Sequence, residues 1–287
     1  MPRFDRFATL WFFNRLIPRM VPNGVRIPIL MYHSISQGNS DAGCSYYDVV
    51  TAPRIFHAHM KFLFDNAYCV INLADAAQLV QTGTDPNKRY VALTFDDGYQ
   101  DFYTAAVPIM DRYGFTATVF LPTRYINNSR AKFKQRCCLT WPEVRALTDR
   151  GIRFGSHTVS HSRLTTLTRD SLEYEIRESK SKIEDETGMG VQSFAYPYAY
   201  PETNKKFRAE LNEILRRTGY TNGVTTIVGT ASGKDNPFSL KRLPVNSFDD
   251  ICFFRAKLDG SYDWIHKLQY GEKFVRATYS AMVKSHG

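Results

Sequence analysis

Short apolar runs alternate with segments of helical periodicity along most of this chain, and that alternation constrains the fold more than any other feature. Ile27–Tyr32 reads as a first buried strand. Pro53–Asn66 follows with Phe56, Met60, Phe62, Leu63 and Phe64 at helical spacing and a proline suited to a first turn. Tyr68–Ile71 is strand-like, and Leu73–Gln81 is a helix closed by Gly83. Further strands are expected at Tyr90–Phe95, Thr116–Leu121, Ile152–Ser156, Ser193–Tyr196, Gly223–Ile227 and Arg242–Val245. Helices are expected over Tyr103–Tyr113, Thr140–Arg150, Arg169–Thr187 and Lys206–Thr218, stopped by Gly114, Gly151, Gly188 and Gly219. Thr140 and Glu143 have the spacing of a capping box. Residues 123–139 read as a loop with several basic side chains. Strands alternating with helices imply a parallel α/β sheet, and seven or eight such units imply a closed or nearly closed barrel.

The chemistry falls where these strands end. Val91-Ala92-Leu93-Thr94-Phe95 runs straight into Asp96-Asp97-Gly98, and two unpaired acids do not belong in a core. His33 follows the first strand, His157 follows Ile152–Ser156, and Pro197-Tyr198 follow Ser193–Tyr196. Strand C-terminal ends share one mouth of such a barrel, the usual place for an active site. His157 and His161 are four residues apart, so on one helical turn both rings reach a common ion. One acid and two histidines make a three-ligand zinc site with an open position, and the second acid is left to act as a base. His57 and His59 sit two apart on a helix and read as surface residues.

TFDDG, then HTVSH, then FAYPYAY together resemble the polysaccharide deacetylase family, the NodB-homology carbohydrate esterases, over about residues 27–250. Leu30-Met31-Tyr32-His33 is similar to the subgroup that deacetylates poly-N-acetylglucosamine-type exopolysaccharides. The resemblance implies a distorted (β/α) barrel of about seven parallel strands in a single domain. It implies Asp96 as general base, Asp97, His157 and His161 as ligands of a divalent metal (usually zinc, with cobalt or nickel as substitutes), and Thr158 as a brace of the histidine loop. A backbone N–H near Tyr198 would stabilise the oxyanion. The chain also departs from the family pattern. Ala199 stands where glycine is usual. The usual arginine that orients the base is missing upstream, so Arg242 is the expected substitute. The usual late Leu-x-His has no clean match, which leaves His33 as general acid and His266 as the second choice. The expected reaction is hydrolysis of the acetamide of an N-acetylated amino sugar in a polysaccharide or lipid-linked glycan, in exopolysaccharide synthesis. The alternatives are hydrolysis of a formamide, ureide or imide on the same barrel, or carbohydrate binding by a catalytically impaired relative.

A length of 287 residues suits one barrel with extensions at both ends, 1–26 and 251–287, around a barrel of 27–250. The net charge of +9 points to an acidic partner, but no Lys/Arg run or motif points to nucleic acid. The extension 1–26 carries Arg3, Arg6, Arg15, Arg19 and Arg26 against Asp5, with Phe7, Leu10, Trp11, Phe12 and Phe13 among them. It reads as a basic amphipathic arm that either packs on the domain or lies on an anionic membrane. It is too short for a spanning helix and a poor secretory signal, so the expected location is cytoplasmic, peripheral to the inner membrane face. The tail from Ile251 is aromatic and basic, with Lys257, Trp264, Lys267, Tyr270, Lys273 and Arg276, and reads as covering helix. Five cysteines without a C-x-x-C pair imply neither a cysteine metal site nor a disulfide framework.

Overall fold

A computed structural model describes residues 4–13, 25–37 and 49–271. Arg3, Arg15, Arg19, Cys44, Lys273 and Arg276 lie outside the described residues. The body is a ring of parallel strands. We number its strands β1 (Ile29–Tyr32), β2 (Tyr68–Ile71), β3 (Arg89–Phe95), β4 (Thr118–Leu121), β5 (Arg153–Ser156), β6 (Ser193–Ala195), β7 (Asn222–Val228) and β8 (Leu240–Pro244). The order is β1-β8-β7-β6-β5-β4-β3, and β3 pairs back onto β1, which closes a seven-stranded barrel. The first half of β3 pairs with β2, and its second half with β1 and β4.

Side chains alternate between two environments, as the pleat demands. Leu30, Tyr32, Leu93, Phe95, Val119, Leu121 and Leu243 join the large cluster under the helices. Ile29, Ala92, Phe120, Ala195, Val224 and Leu240 form a second cluster that the helix Leu73–Thr82 closes with Leu73, Ala76, Ala77 and Val80. This second set is the barrel interior. It is filled in part by the Phe120 ring, and a Cβ on Gly155 would lie 2.5 Å from that ring and 2.9 Å from the Ser193 carbonyl oxygen. By the same parity Thr94 on β3 and Arg242 on β8 point inward.

The helix Pro53–Asp65 buries Phe56, His59, Met60 and Leu63. His59 falls three residues after Phe56, on the apolar stripe, so it is a core residue; the surface placement read from the sequence is corrected here. His57 is half-buried against the Tyr113 hydroxyl at 2.9 Å. Thr140 and Glu143 form the expected capping box at the start of Trp141–Thr148. The region 123–139 holds a hairpin that the sequence did not announce: Lys132–Phe133 pairs with Arg136–Cys137 across a two-residue turn. Lys134 and Gln135 both take positive φ there, 46° and 65°. Two successive left-handed residues make a turn whose twist matches the flanking strands. The helix Ile251–Leu258 follows β8. Cys69, Cys137, Cys138 and Cys252 are free thiols.

Candidate metal centre and active site

The two aspartates leave β3 in different directions. Asp96 keeps the inward parity of Ala92 and Thr94. Asp97 has φ 70°, a left-handed conformation that aspartate tolerates better than most side chains. Gly98 continues the turn at φ 58°, and a Cβ there would lie 2.8 Å from Leu121 Cδ2. Only glycine suits that position in both conformation and space.

His157 and His161 follow β5 on an irregular loop. The single helical turn expected from their spacing is absent. Thr158 and His161 take φ 67° and 57°. Ser156 Oγ accepts the Thr158 N–H at 3.2 Å, and Thr158 Oγ1 accepts the His161 N–H at 2.9 Å. Such side-chain-to-backbone bonds compete with helix formation, and here they fold the loop back on itself. The N–H groups of Thr123 and Arg124 tie it to the segment after β4 through the carbonyls of Thr158 and Val159.

This backbone brings three donors to one point. Asp97 Oδ1 lies 3.2 Å from His161 Nε2 and 3.6 Å from His157 Nε2. The ligand atoms of all three lie within 4.8 Å of one another, and all three residues are buried. Asp97 Oδ1 is buried and accepts no hydrogen bond, whereas Oδ2 accepts the Tyr99 hydroxyl at 2.9 Å and the Lys134 ammonium at 3.3 Å. His157 Nδ1 donates to the Ala195 carbonyl at 2.8 Å, which fixes the tautomer that leaves Nε2 a free lone pair. Burial lowers the His157 pKa to about 4, so the ring is neutral and able to ligate near pH 7. Burial opposes ionisation of Asp97 too, but His161, His33, His157 and Lys134 hold its carboxyl far below the usual range. Two imidazole nitrogens and one carboxylate oxygen, the last otherwise orphaned, fit zinc or a similar divalent ion with a coordination position left over. Phe133 and Tyr198 wall the site, their ring centroids 5.0 and 4.8 Å from that of His161.

Asp96 lies beside this centre. Arg242 donates from Nη1 to Oδ1 at 2.7 Å and from Nη2 to Oδ2 at 2.8 Å. Burial pushes the Asp96 carboxyl up, but Arg242, with His157 and His33, holds it below the usual range. The Arg242 guanidinium also donates to the Thr225 carbonyl and to Thr94 Oγ1. His33 Nε2 stands 3.9 Å from Asp96 Oδ2, its ring mostly covered. Burial lowers the His33 pKa more than Asp96 and Asp97 raise it. His266 is instead paired with Glu202 at 2.5 Å, and no contact joins it to Asp96 or Asp97 among the described residues. The structure thus gathers Asp96, Asp97, His157, His161, His33, Arg242 and Tyr198, with Tyr198 at φ 59° and half-exposed at the rim. Two residues of the site escaped sequence reasoning. Tyr99 is two positions beyond Asp97 and could have been noticed from that spacing; Lys134 gave no signal, because the hairpin turn alone places it.

The chain belongs to the polysaccharide deacetylase family. The family's sequence profile matches residues 83–223. YxkH of Bacillus subtilis (strain 168), a relative named as a polysaccharide deacetylase, is 32% identical over 221 residues, 77% of this chain and 72% of that one. The Streptococcus pyogenes deacetylase PplD, solved in complex with acetate, is 26% identical with a TM-score of 0.72, covering 82% of this chain and 99% of that one. Similarity to the poly-beta-1,6-N-acetyl-D-glucosamine N-deacetylase of Escherichia coli (strain K12) is local: 28% identity over 106 residues, 34% of this chain and 16% of that protein.

Proposed function

We propose that this protein removes acetate from an N-acetylated amino sugar of a glycan, with a divalent metal, zinc by its donor set, held by Asp97, His157 and His161. The observation that carries the reading is the buried Asp97 Oδ1, which has no hydrogen bond and faces two imidazole nitrogens. When bound, such a cation polarises a carbonyl and acidifies water, the chemistry that amide hydrolysis requires. Asp96 is the base: its carboxylate is held ionised and oriented by Arg242, and it takes one proton from the attacking water. Attack on the acetamide carbon forms the new C–O bond. A backbone N–H near Tyr198 donates to the oxygen that gains charge. His33 is neutral at rest, so it relays to the leaving nitrogen the proton gained by Asp96, 3.9 Å away. The C–N bond breaks, the second water proton passes from the new carboxyl group to the free amine, and acetate and the ammonium depart. Similarity to a glycan N-deacetylase and to a deacetylase that holds acetate supports this substrate class.

The test is acetate release from N-acetylglucosamine oligomers of β-1,4 and β-1,6 linkage, beside a panel of formamides, ureides and imides. The proposal expects release from a sugar oligomer that chelation stops and zinc restores. Turnover confined to the small amides, or undiminished in metal-free protein, overturns it.

A further inference from the structure

Residues 4–13 form one helical run, Phe4–Ala8 continuing into a wider turn over Thr9–Phe13. It is seated on the barrel by Leu10, which packs against the core, and by polar and small side chains. Asp5 Oδ2 accepts the Tyr262 hydroxyl at 2.8 Å, and Thr9 Oγ1 accepts the Trp264 indole N–H at 3.0 Å. Arg6 pairs with Asp250, and Ala8 and Thr9 are buried. The large rings face the other way. Phe4 is 74% exposed, Phe7 51%, Trp11 59% and Phe12 59%. The Phe7 ring centroid lies 6.0 Å from that of Trp11 and 6.3 Å from that of Phe12, so these three rings make one contiguous patch. A helix that served only to cover the barrel would turn its rings inward and its polar groups to water. Here the arrangement is reversed, and a large exposed apolar patch marks an interaction surface.

The sequence charge of the segment that carries the patch points to what it meets. The first 26 residues carry five arginines and one aspartate. Past Trp264 the chain adds Lys267 with the exposed side chains of Leu268 and Tyr270. Aromatic rings beside arginines match the boundary between anionic headgroups and acyl chains. No helix among the described residues is long and apolar enough to cross a membrane. We infer that the Phe4–Phe12 face seats the protein peripherally on an anionic lipid bilayer, with the rings at the headgroup boundary and the basic character of the arm favouring anionic lipid. A docked enzyme would meet glycan at that surface, but the inference stands on the arm alone and not on the deacetylase reading.

The experiment is flotation of the full chain with vesicles of phosphatidylcholine, with and without phosphatidylglycerol. The expected result is flotation with the anionic vesicles, weakened by salt. The triple variant Phe7→Ser, Trp11→Ser, Phe12→Ser should lower partition at least about tenfold, since binding scales with buried apolar area. Its melting temperature should match the parent, because these rings face away from the barrel. Failure of the parent to float, or equal flotation of the triple variant, overturns the inference. A parent dimer in solution that the triple variant converts to monomer also overturns it, by assigning the face to a second copy.

Discussion

Arg242 meets Asp96 fork to fork inside the barrel, with two parallel hydrogen bonds of 2.7 and 2.8 Å between groups 0% and 3% exposed. Burying both charges is costly, and the cost is offset only where geometry is good and the remaining donors are satisfied. Arg242 meets that condition through the Thr225 carbonyl and Thr94 Oγ1. The pair fixes the direction of the Asp96 carboxylate, which a single-point contact could not do.

Arg242→Lys keeps the charge and loses the fork. Turnover should fall about a hundredfold, within the range assigned to a positioned base, while zinc stoichiometry stays the same. Arg242→Met leaves Asp96 buried without its partner and should cost about 3–5 kcal/mol in urea unfolding. Parental turnover in Arg242→Lys would remove Arg242 from the mechanism.

Asp96 and His161 should fail in different ways. On the proposed roles Asp96→Asn removes the base but not a ligand, so zinc should still bind while turnover drops roughly 10²- to 10⁴-fold. His161→Ala removes one of the three proposed ligands, so both zinc content and turnover should be lost. Metal analysis of the two purified variants separates the roles; loss of zinc from Asp96→Asn would exchange them.

Tyr99 holds the oxygen of Asp97 that does not face the histidines. Tyr99→Phe keeps the buried ring and deletes only that bond. Outer hydrogen bonds of this kind tune ligand orientation, and their loss commonly weakens metal binding about 10- to 100-fold. Competition with a chromogenic zinc chelator measures it, and unchanged affinity would show that Lys134 and the backbone suffice.

How far the sequence could be read depends on what each element obeys. Strands such as Arg89–Phe95 and helices such as Trp141–Thr148 follow apolar period and capping chemistry, so they lie within a few residues of expectation. Arg242 could be named beforehand only because the family resemblance implies an arginine that orients the base, and the usual upstream one is missing. The loop from His157 to His161 could not be shaped in advance, since a spacing of four suits a helical turn and a folded-back loop equally. The hairpin at Lys134 was invisible because its strands are two residues each and neither turn residue is a usual left-handed former. His59 was legible in its spacing of three from Phe56, which sets it on the apolar stripe; the Phe254 ring, 4.0 Å away between centroids, then covers it.

That buried histidine makes stability depend on pH. Its Nε2 lies 2.7 Å from the Asp249 carbonyl oxygen, and its Nδ1 lies 3.2 Å from the Tyr32 hydroxyl. The neutral tautomer that donates from Nε2 and accepts at Nδ1 satisfies both partners. Protonation would turn Nδ1 into a donor and add a charge near Lys257, which is itself bound to Asp249 at 2.9 Å. Burial, opposed by Asp249, lowers the folded-state pKa to about 4. The unfolded imidazole titrates near about 6.5, so between these values the unfolded chain binds more protons than the folded one. Stability from His59 is therefore full above about pH 6.5 and is lost as pH falls toward about 4. From pH 6.5 to 5 its share is about 2 kcal/mol, at ~1.4 kcal/mol for each pH step. His59→Gln, which does not titrate, should be less stable than the parent at pH 7 yet lose about 2 kcal/mol less on acidification to pH 5. Urea unfolding of both proteins at the two pH values measures the difference, and equal acid losses would mean that His59 is protonated inside the fold.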